Sequence, residues 1–92
     1  MKNYEVVFLL RPEEEQFKGA LESIKAEFAK LGANVTKEED MKERLLAYAL
    51  KDMDRGHYYL FTFESDPSQI VEMEKSIKLM PQVLKHLFVV QE

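Results

Sequence analysis

Cysteine is absent from this 92-residue chain, and that absence excludes disulfide bridges, thiolate zinc sites and cysteine nucleophiles. Long apolar runs are also missing. The longest, residues 6–10 and 45–50, are far too short to cross a bilayer. The first run stops at Arg11 and Pro12, which indicates a strand rather than a secretory signal. We therefore expect a soluble, cytosolic protein with no membrane association.

The chain also lacks an excess of positive charge. Its formal net charge is −4 and its pI is about 5.2. A protein that binds RNA mainly through phosphates is usually basic, so this balance argues against a stand-alone nucleic-acid binder. It permits a local basic patch or docking to a basic protein. The length predicts a single domain, residues 1–92, and a composition 46% hydrophobic and 33% charged predicts a packed core.

Two elements are predicted in the first third of the chain. Residues 4–10 are rich in β-branched and aromatic side chains and predict a strand, apolar on both sides. Pro12 is expected to open a helix that ends at Gly32. The buried stripe of that helix has three- and four-residue spacing and consists of Phe17, Leu21, Ile24, Phe28 and Leu31.

Residues 33–56 are ambiguous. Val35 can start a second strand, but residues 37–44 form a charge run, which we interpret as a solvated loop or strand edge rather than a binding tail. Residues 45–50 have helical propensity, although propensity is a weak guide over so short a window. Residues 52–56 are typical of a hairpin turn with Gly56 near its end.

The last third gives clear signals. Residues 57–63 predict a strand with alternating faces, and residues 83–90 predict another. Between them, Asp66 is a candidate helix N-cap, Pro67 suits the first helical position and Gln69 could complete a capping box. The stripe of this second helix, which Pro81 ends, is Ile70, Met73, Ile77 and Met80.

This order of elements predicts an α+β fold of the ferredoxin-like, split βαβ type (βαββαβ), a four-stranded antiparallel sheet with two helices on one face. Alternation assigns one side of each strand to the core beneath the helices. On the first strand Tyr4, Val6, Phe8 and Leu10 share one side, and on the third strand Tyr59, Phe61 and Phe63 do. The helices are expected to pack against Val6, Phe8, Phe61 and Phe63. The helix-free face should then expose an apolar cluster suited to a partner: Val7, Leu9, Tyr58 and Leu60.

No catalytic constellation is visible. The serines have no neighbouring histidine, and His57 and His86 lie on separate strands without further metal ligands. Acylphosphatases of this fold need a glycine-rich, anion-binding loop after the first strand, whereas residues 11–15 carry three glutamates here. Metal chaperones of this fold need paired cysteines. We expect no enzyme, metal, cofactor or small-molecule substrate.

An RNA-recognition motif is an alternative with the same fold. Residues 55–62 match its third-strand pattern at Arg55, Gly56, Tyr59 and Leu60, but not at His57 and Thr62. We favour the interpretation that the aromatic residues of this strand are core, because their burial is worth several kcal/mol to a small domain. A small-molecule-sensing or oligomerisation domain is a further alternative.

Two segments carry a more specific resemblance. Residues 1–12 combine a basic residue, Tyr4-Glu5, an apolar run and Pro12, and residues 44–50 read Arg-Leu-Leu-Ala-Tyr-Ala-Leu, followed by Gly56 and Tyr58. Both resemble the sixth protein family of the bacterial small ribosomal subunit, whose order of elements the whole chain follows. The chain departs from the family where Ala49 replaces a usual proline and where Met41-Lys42 replaces a common aromatic-glycine pair.

The resemblance implies a non-catalytic ribosomal protein of the cytoplasm. Members of the family pair with the eighteenth small-subunit protein, and the pair binds the central domain of the small-subunit ribosomal RNA. The resemblance also implies that residues 44–50 lie on a long second strand. By the same resemblance, the positions that face RNA or partner are Lys2, Tyr4, Arg44, Tyr48 and Lys85. Of these, Lys2, Arg44 and Lys85 have the chemistry to neutralise phosphates.

Overall fold

The structure is a computed structural model that describes residues 2–50 and 53–91, with side chains for residues 2–45 and 54–90. The strands are β1 (Lys2–Leu10), β2 (Asn34–Leu50), β3 (Met53–Ser65) and β4 (Val83–Gln91). The helices are α1 (Glu14–Lys30) and α2 (Ile70–Lys78), the latter preceded by a 3-10 turn at Pro67–Gln69. The order βαββαβ is the predicted one.

The four strands form one antiparallel sheet in the order β2-β3-β1-β4. Strand β1 is therefore interior, and Val6 on it lies opposite both Phe61 and Phe88. Both helices pack on the same face of the sheet, because Ile24 of α1 and Met73 of α2 join the core formed by that face. The predicted ferredoxin-like fold is confirmed.

Aromatic rings fill the space between the helices and the sheet. Phe28 of α1 stacks on Phe63 with ring centroids 4.9 Å apart and meets Phe61 edge-on at 5.4 Å. Phe61 in turn lies edge-on to Phe8. All four side chains are buried, and each fully buried phenylalanine stabilises the fold by about 2–3 kcal/mol. This cluster connects α1 to the two interior strands and fixes which sheet face stays uncovered.

Strand β2 contains the whole charge run, residues 37–44, whose structure was ambiguous from the sequence. It is an edge strand, so residues 37–44 can keep their charges in water while their backbones pair with β3. The resemblance was right to place residues 44–50 on this strand. The predicted turn at residues 52–56 was wrong, since β3 begins at Met53 and Gly56 lies within it opposite Arg44. Residue 52 lies outside the described part.

The helix ends follow local chemistry, with two shifts from prediction. Gly32 takes a φ of 75°, the left-handed conformation expected after α1. Pro12, however, precedes α1, which begins at Glu14. Asp66 caps the second helical segment, its Oδ1 accepting hydrogen bonds from the backbone N–H and the hydroxyl of Ser68. That segment starts as the 3-10 turn, so α2 itself begins at Ile70.

Candidate interface on the open sheet face

The sheet face without helices, the open face, brings together the apolar side chains predicted for it. Across three strands, Val7 lies opposite Leu60 on β3 and Leu87 on β4. One pleat further, Leu9 lies opposite Tyr58. Directly opposed residues of antiparallel strands share a face, so these five side chains form one continuous apolar patch. We call these five residues the apolar patch.

The members of the patch differ in how far water reaches them. Val7, Tyr58 and Leu60 are half-buried, but Leu9 is only 4% exposed, so the prediction that it is open to water was wrong. Leu9 is covered because β1 is interior and Leu9 has a cross-strand neighbour on each side, Tyr58 and Lys85. The exposed member is Leu87, at 62%.

Sequence reasoning did not assign Leu87 and Val89 to this face. Val89, which is 45% exposed, lies opposite Glu5 and extends the apolar surface along β4. Period-two alternation from Lys85 would have placed both residues on the same side as that lysine. Their exposure follows from the position of β4 at the edge of the sheet, which alternation alone does not reveal.

A shallow hollow of about 260 Å³ opens in the apolar patch. Its walls come from β1, β3 and β4 and are formed by Val7, Leu9, Tyr58, Lys85, His86 and Leu87. The hollow is therefore apolar at its base, with an ammonium group among its walls. Such a depression suits one apolar side chain from another molecule, with polar groups around it.

Two of the predicted cationic residues lie at one end of the open face. Lys85 is exposed on β4 opposite Leu9, and it lines the hollow. Arg44 is exposed on β2, and its Nε donates a hydrogen bond to the Met41 carbonyl at 3.3 Å. A second depression is lined by Arg44 and by Tyr58, so Tyr58 lies between the two cations. Both cations are in reach of one extended polyanion.

The other predicted positions do not join this end. Lys2 is exposed at the opposite end of β1, where it pairs with Ser65 in the register of the helix-covered face. Tyr4 is 4% exposed and stacks on Phe63, with ring centroids 5.6 Å apart, so its ring is part of the core. Alternation places Tyr4 with Val6, and the core explains it fully. The side chain of Tyr48 lies outside the described residues.

The aromatics that a base-stacking module would need belong to the core. Phe61 and Phe63 are fully buried beneath the helices. Tyr59 packs against the same core, and its hydroxyl donates a hydrogen bond to Glu38 at 3.0 Å. Burial, followed by the hydrogen bond and by the negative charges of Glu38 and Asp40, raises the pKa of Tyr59 to about 12. The interpretation of these three residues as core is confirmed.

The histidines also have structural surroundings. His57 stacks on Phe17 with centroids 3.8 Å apart, and its Nε2 lies 2.5 Å from Oδ1 of Asp40. Burial lowers the pKa of His86, against the raising effect of Glu74, and Lys78 lowers it further. Within the described residues, no three histidine, aspartate or glutamate side chains converge to hold a metal ion. No helix of the described part is long and apolar enough to cross a membrane.

A ferredoxin-like sheet with one uncovered, partly apolar face and cations at its end defines a small binding domain. Comparison with known proteins makes this specific. The family described as Ribosomal protein S6 matches residues 3–90. The small ribosomal subunit protein bS6 of Treponema denticola is 36% identical over 89 residues, covering 97% of this chain and 96% of the relative. That of Campylobacter jejuni is 35% identical over 94 aligned residues, covering 100% of this chain and 75% of the relative.

A solved structure supports the fold independently. The crystal structure of ribosomal protein S6 from Thermotoga maritima superposes with a TM-score of 0.89 at 24% identity, covering 98% of this chain and 87% of that one. The chain belongs to the ribosomal protein S6 family. It is thus a structural protein of the small ribosomal subunit in the cytoplasm and not an enzyme, as the resemblance implied.

Proposed function

We propose that this protein binds small-subunit ribosomal RNA together with a basic partner, the eighteenth small-subunit protein, and that the open face is where the partner lies. The observation that carries the proposal is the combination of the partly exposed apolar patch with a net charge of −4. Leu87 and Val89 expose apolar surface that a lone protein gains nothing from showing to water. A partner segment would bury that surface.

The charge of the chain explains why the partner should be basic. Binding to RNA gains free energy from release of counterions, and an acidic protein has few phosphate contacts with which to release them. Arg44 and Lys85 are both exposed at one end of the open face, so they would supply two such contacts. A basic partner would add the remaining positive charge and bring it close to the same RNA.

The test compares RNA binding by the isolated chain, by the eighteenth small-subunit protein and by their mixture, using a central-domain fragment of the small-subunit RNA over a series of salt concentrations. We expect weak binding by the isolated chain and at least about tenfold tighter binding by the mixture than by either protein alone. Tight, salt-sensitive binding by the isolated chain would contradict the proposal, and so would failure of the two proteins to associate.

Variants locate the RNA contact. Charge reversal at Arg44 or Lys85 should weaken the complex with RNA and leave the pairing of the two proteins largely intact. Lys75→Glu is the matched control, because Lys75 is similarly exposed but lies on α2, behind the sheet. Equal losses for Arg44→Glu and Lys75→Glu would mean that overall charge, rather than the open face, sets RNA affinity.

A further inference from the structure

Charge is divided along the strands of the open face. Its cationic end carries Arg44 and Lys85, beside Leu9 and Tyr58. Toward the opposite end, three carboxylates share the face: Glu39 lies opposite Leu60, level with the hollow, whereas Glu5 and Glu64 lie further along, opposite Thr62 and Asn3. We call the part of the face that carries these carboxylates the acidic end. Lys37 also lies there, opposite Thr62, so three negative charges face one positive charge.

The register gives the separation of the two ends. Leu9 and Glu5 are four positions apart on β1, and Tyr58 and Glu64 are six positions apart on β3. Leu60, which lies opposite Glu39, is only two positions from Tyr58. At about 3.3 Å per residue, Glu39 lies about 7 Å from the row of Leu9 and Tyr58 along the strands, and the far side of the acidic end lies about 20 Å from it. Five or six residues of an extended chain span this distance, so one short segment can touch both the hollow and the acidic end.

We propose that the partner crosses the open face along the strands, with an apolar side chain in the hollow and its cationic side chains over Glu39 and Glu64. This inference rests on the proposed function and adds an orientation and a chemistry to it. The partner segment would be extended and would carry an aliphatic or aromatic anchor, with lysine or arginine some two to six residues away along the segment.

Electrostatic complementarity favours this orientation over its reverse. With the segment reversed, the cations of the partner would lie against Arg44 and Lys85, and the carboxylates of the acidic end would be left toward RNA phosphates. Like charges placed opposite each other disfavour a complex, whereas opposite charges steer and orient it. In the proposed orientation, Arg44 stays at the uncovered end of the face and Lys85 stays at the rim of the hollow, where the charged end of each side chain can reach phosphates.

The experiment is titration calorimetry of the full chain with the eighteenth small-subunit protein, without RNA. The double variant Glu39→Lys, Glu64→Lys should bind about tenfold more weakly at moderate salt, because two attractions become repulsions. Leu87→Glu should weaken binding by at least a similar factor, since it places a carboxylate at the hollow. Glu39 and Leu87 are exposed, and Glu64 is half-buried. The Glu64 carboxylate accepts a hydrogen bond from Asn34, and none of the three substituted residues belongs to the core.

The control carries the same change in net charge elsewhere. Glu15→Lys, Glu22→Lys reverses two exposed carboxylates of α1, on the other side of the sheet, and should change the affinity by less than about twofold. If the wild-type chain pairs with the partner but the Glu39, Glu64 variant pairs equally well, or if both double variants lose affinity equally, the orientation is overturned. Absence of wild-type pairing would instead overturn the proposed function itself.

Discussion

Lys42 adopts a backbone conformation that normally belongs to glycine. Its φ is 71°, and the register of β2 against β3 shifts between Asp40 and Lys42. The backbone N–H of Lys42 donates to Oδ1 of Asp40 at 2.9 Å, which stabilises this bulge locally. A non-glycine residue in this region is strained by contact of its Cβ with the backbone. The family resemblance indicated a common glycine at this position, and the structure shows why glycine suits it.

Replacing Lys42 with glycine should therefore stabilise the protein. Removing the strain of the left-handed conformation should stabilise the folded state by about 1–2 kcal/mol. The greater conformational freedom of glycine in the unfolded chain offsets about 0.5–1 kcal/mol of this gain. We expect the free energy of unfolding to rise by about 0.5–1 kcal/mol, measured by urea denaturation. Lys42→Ala keeps the Cβ and should give no such gain. Equal stabilisation by both variants would assign the effect to the lysine side chain instead.

Ionisation of Asp40 should make the free energy of unfolding depend on pH in the acidic range. Although burial alone raises the pKa of Asp40, hydrogen bonds from His57 and the backbone of Lys42, with the charges of both residues, lower it from 3.8. Because the pKa of Asp40 is lower in the folded protein than in the unfolded chain, the ionised carboxylate stabilises the folded state above pH 3.8. That stabilisation is lost as the pH falls through the pKa of the folded state. The difference in unfolding free energy between wild type and Asp40→Asn should therefore narrow as the pH falls below about 4.

A His57→Gln background provides the comparison for Asp40. His57→Gln removes the positive charge of the imidazolium and the hydrogen bond from its Nε2, so the pH-dependent difference between aspartate and asparagine should become smaller. Denaturation curves of the four proteins at a series of pH values measure this. A difference that persists unchanged in the His57→Gln background would show that the Lys42 contacts alone hold the carboxylate ionised.

Helix α1 should be held on the sheet chiefly by the side chain of Phe28. This side chain is 2% exposed and touches two rings of β3. Phe28→Ala would leave a cavity beneath the helix and should lower the free energy of unfolding by about 3–5 kcal/mol. Leu79→Ala removes a leucine side chain that is 84% exposed and should cost less than about 0.5 kcal/mol. Similar losses in the two variants, by thermal or chemical denaturation, would refute this account of the core.

The elements that were predicted correctly from the sequence are those whose own residues show a helical or an alternating pattern of apolar side chains. Helix α1 has its stripe at helical spacing, and β3 has alternating aromatics, so each is recognisable without its neighbours. Strand β2 has no such pattern over residues 37–44. It is a strand because β3 pairs with it at the sheet edge, and that interaction is tertiary. The resemblance, rather than local propensity, placed residues 44–50 correctly.

The sequence predicted which residues belong to the open face, but it did not predict how far each of them is exposed to water. Alternation identified Val7, Leu9, Tyr58 and Leu60 as one face, as the register shows. The burial of Leu9 and the exposure of Leu87 depend on which strands are interior, and the order β2-β3-β1-β4 is not encoded in the pattern of any single strand. The division of charge along the face likewise requires the register, because Glu39 and Glu64 are far apart in the chain.

In the proposed assembly, two different contributions to the binding free energy are expected: burial of apolar surface between the two proteins, and contacts of cationic side chains with RNA phosphates. Burial of the apolar patch is independent of salt to first order, since it removes apolar surface from water. Phosphate contacts act through counterion release and weaken as salt rises. The proposed partner uses the first contribution to hold itself on the open face. Arg44, Lys85 and the partner's own cations then provide the second.

The salt dependence of RNA binding should count those phosphate contacts. For the two-protein complex, the logarithm of the binding constant should fall linearly with the logarithm of salt concentration. Arg44→Ala and Lys85→Ala should each reduce the magnitude of that slope by about one, because each removes about one phosphate contact. Filter binding or fluorescence anisotropy over a tenfold range of salt measures the slope.

Leu87→Ala is the informative contrast to those two variants. It reduces apolar contact with the partner but removes no charge, so it should weaken the two-protein complex while leaving the slope for RNA binding unchanged, provided that protein concentrations keep the pair assembled. Slopes that stay constant in Arg44→Ala and Lys85→Ala would mean that neither side chain contacts phosphate. The positive charge at the cationic end would then act only on the partner, and RNA binding would belong to the partner alone.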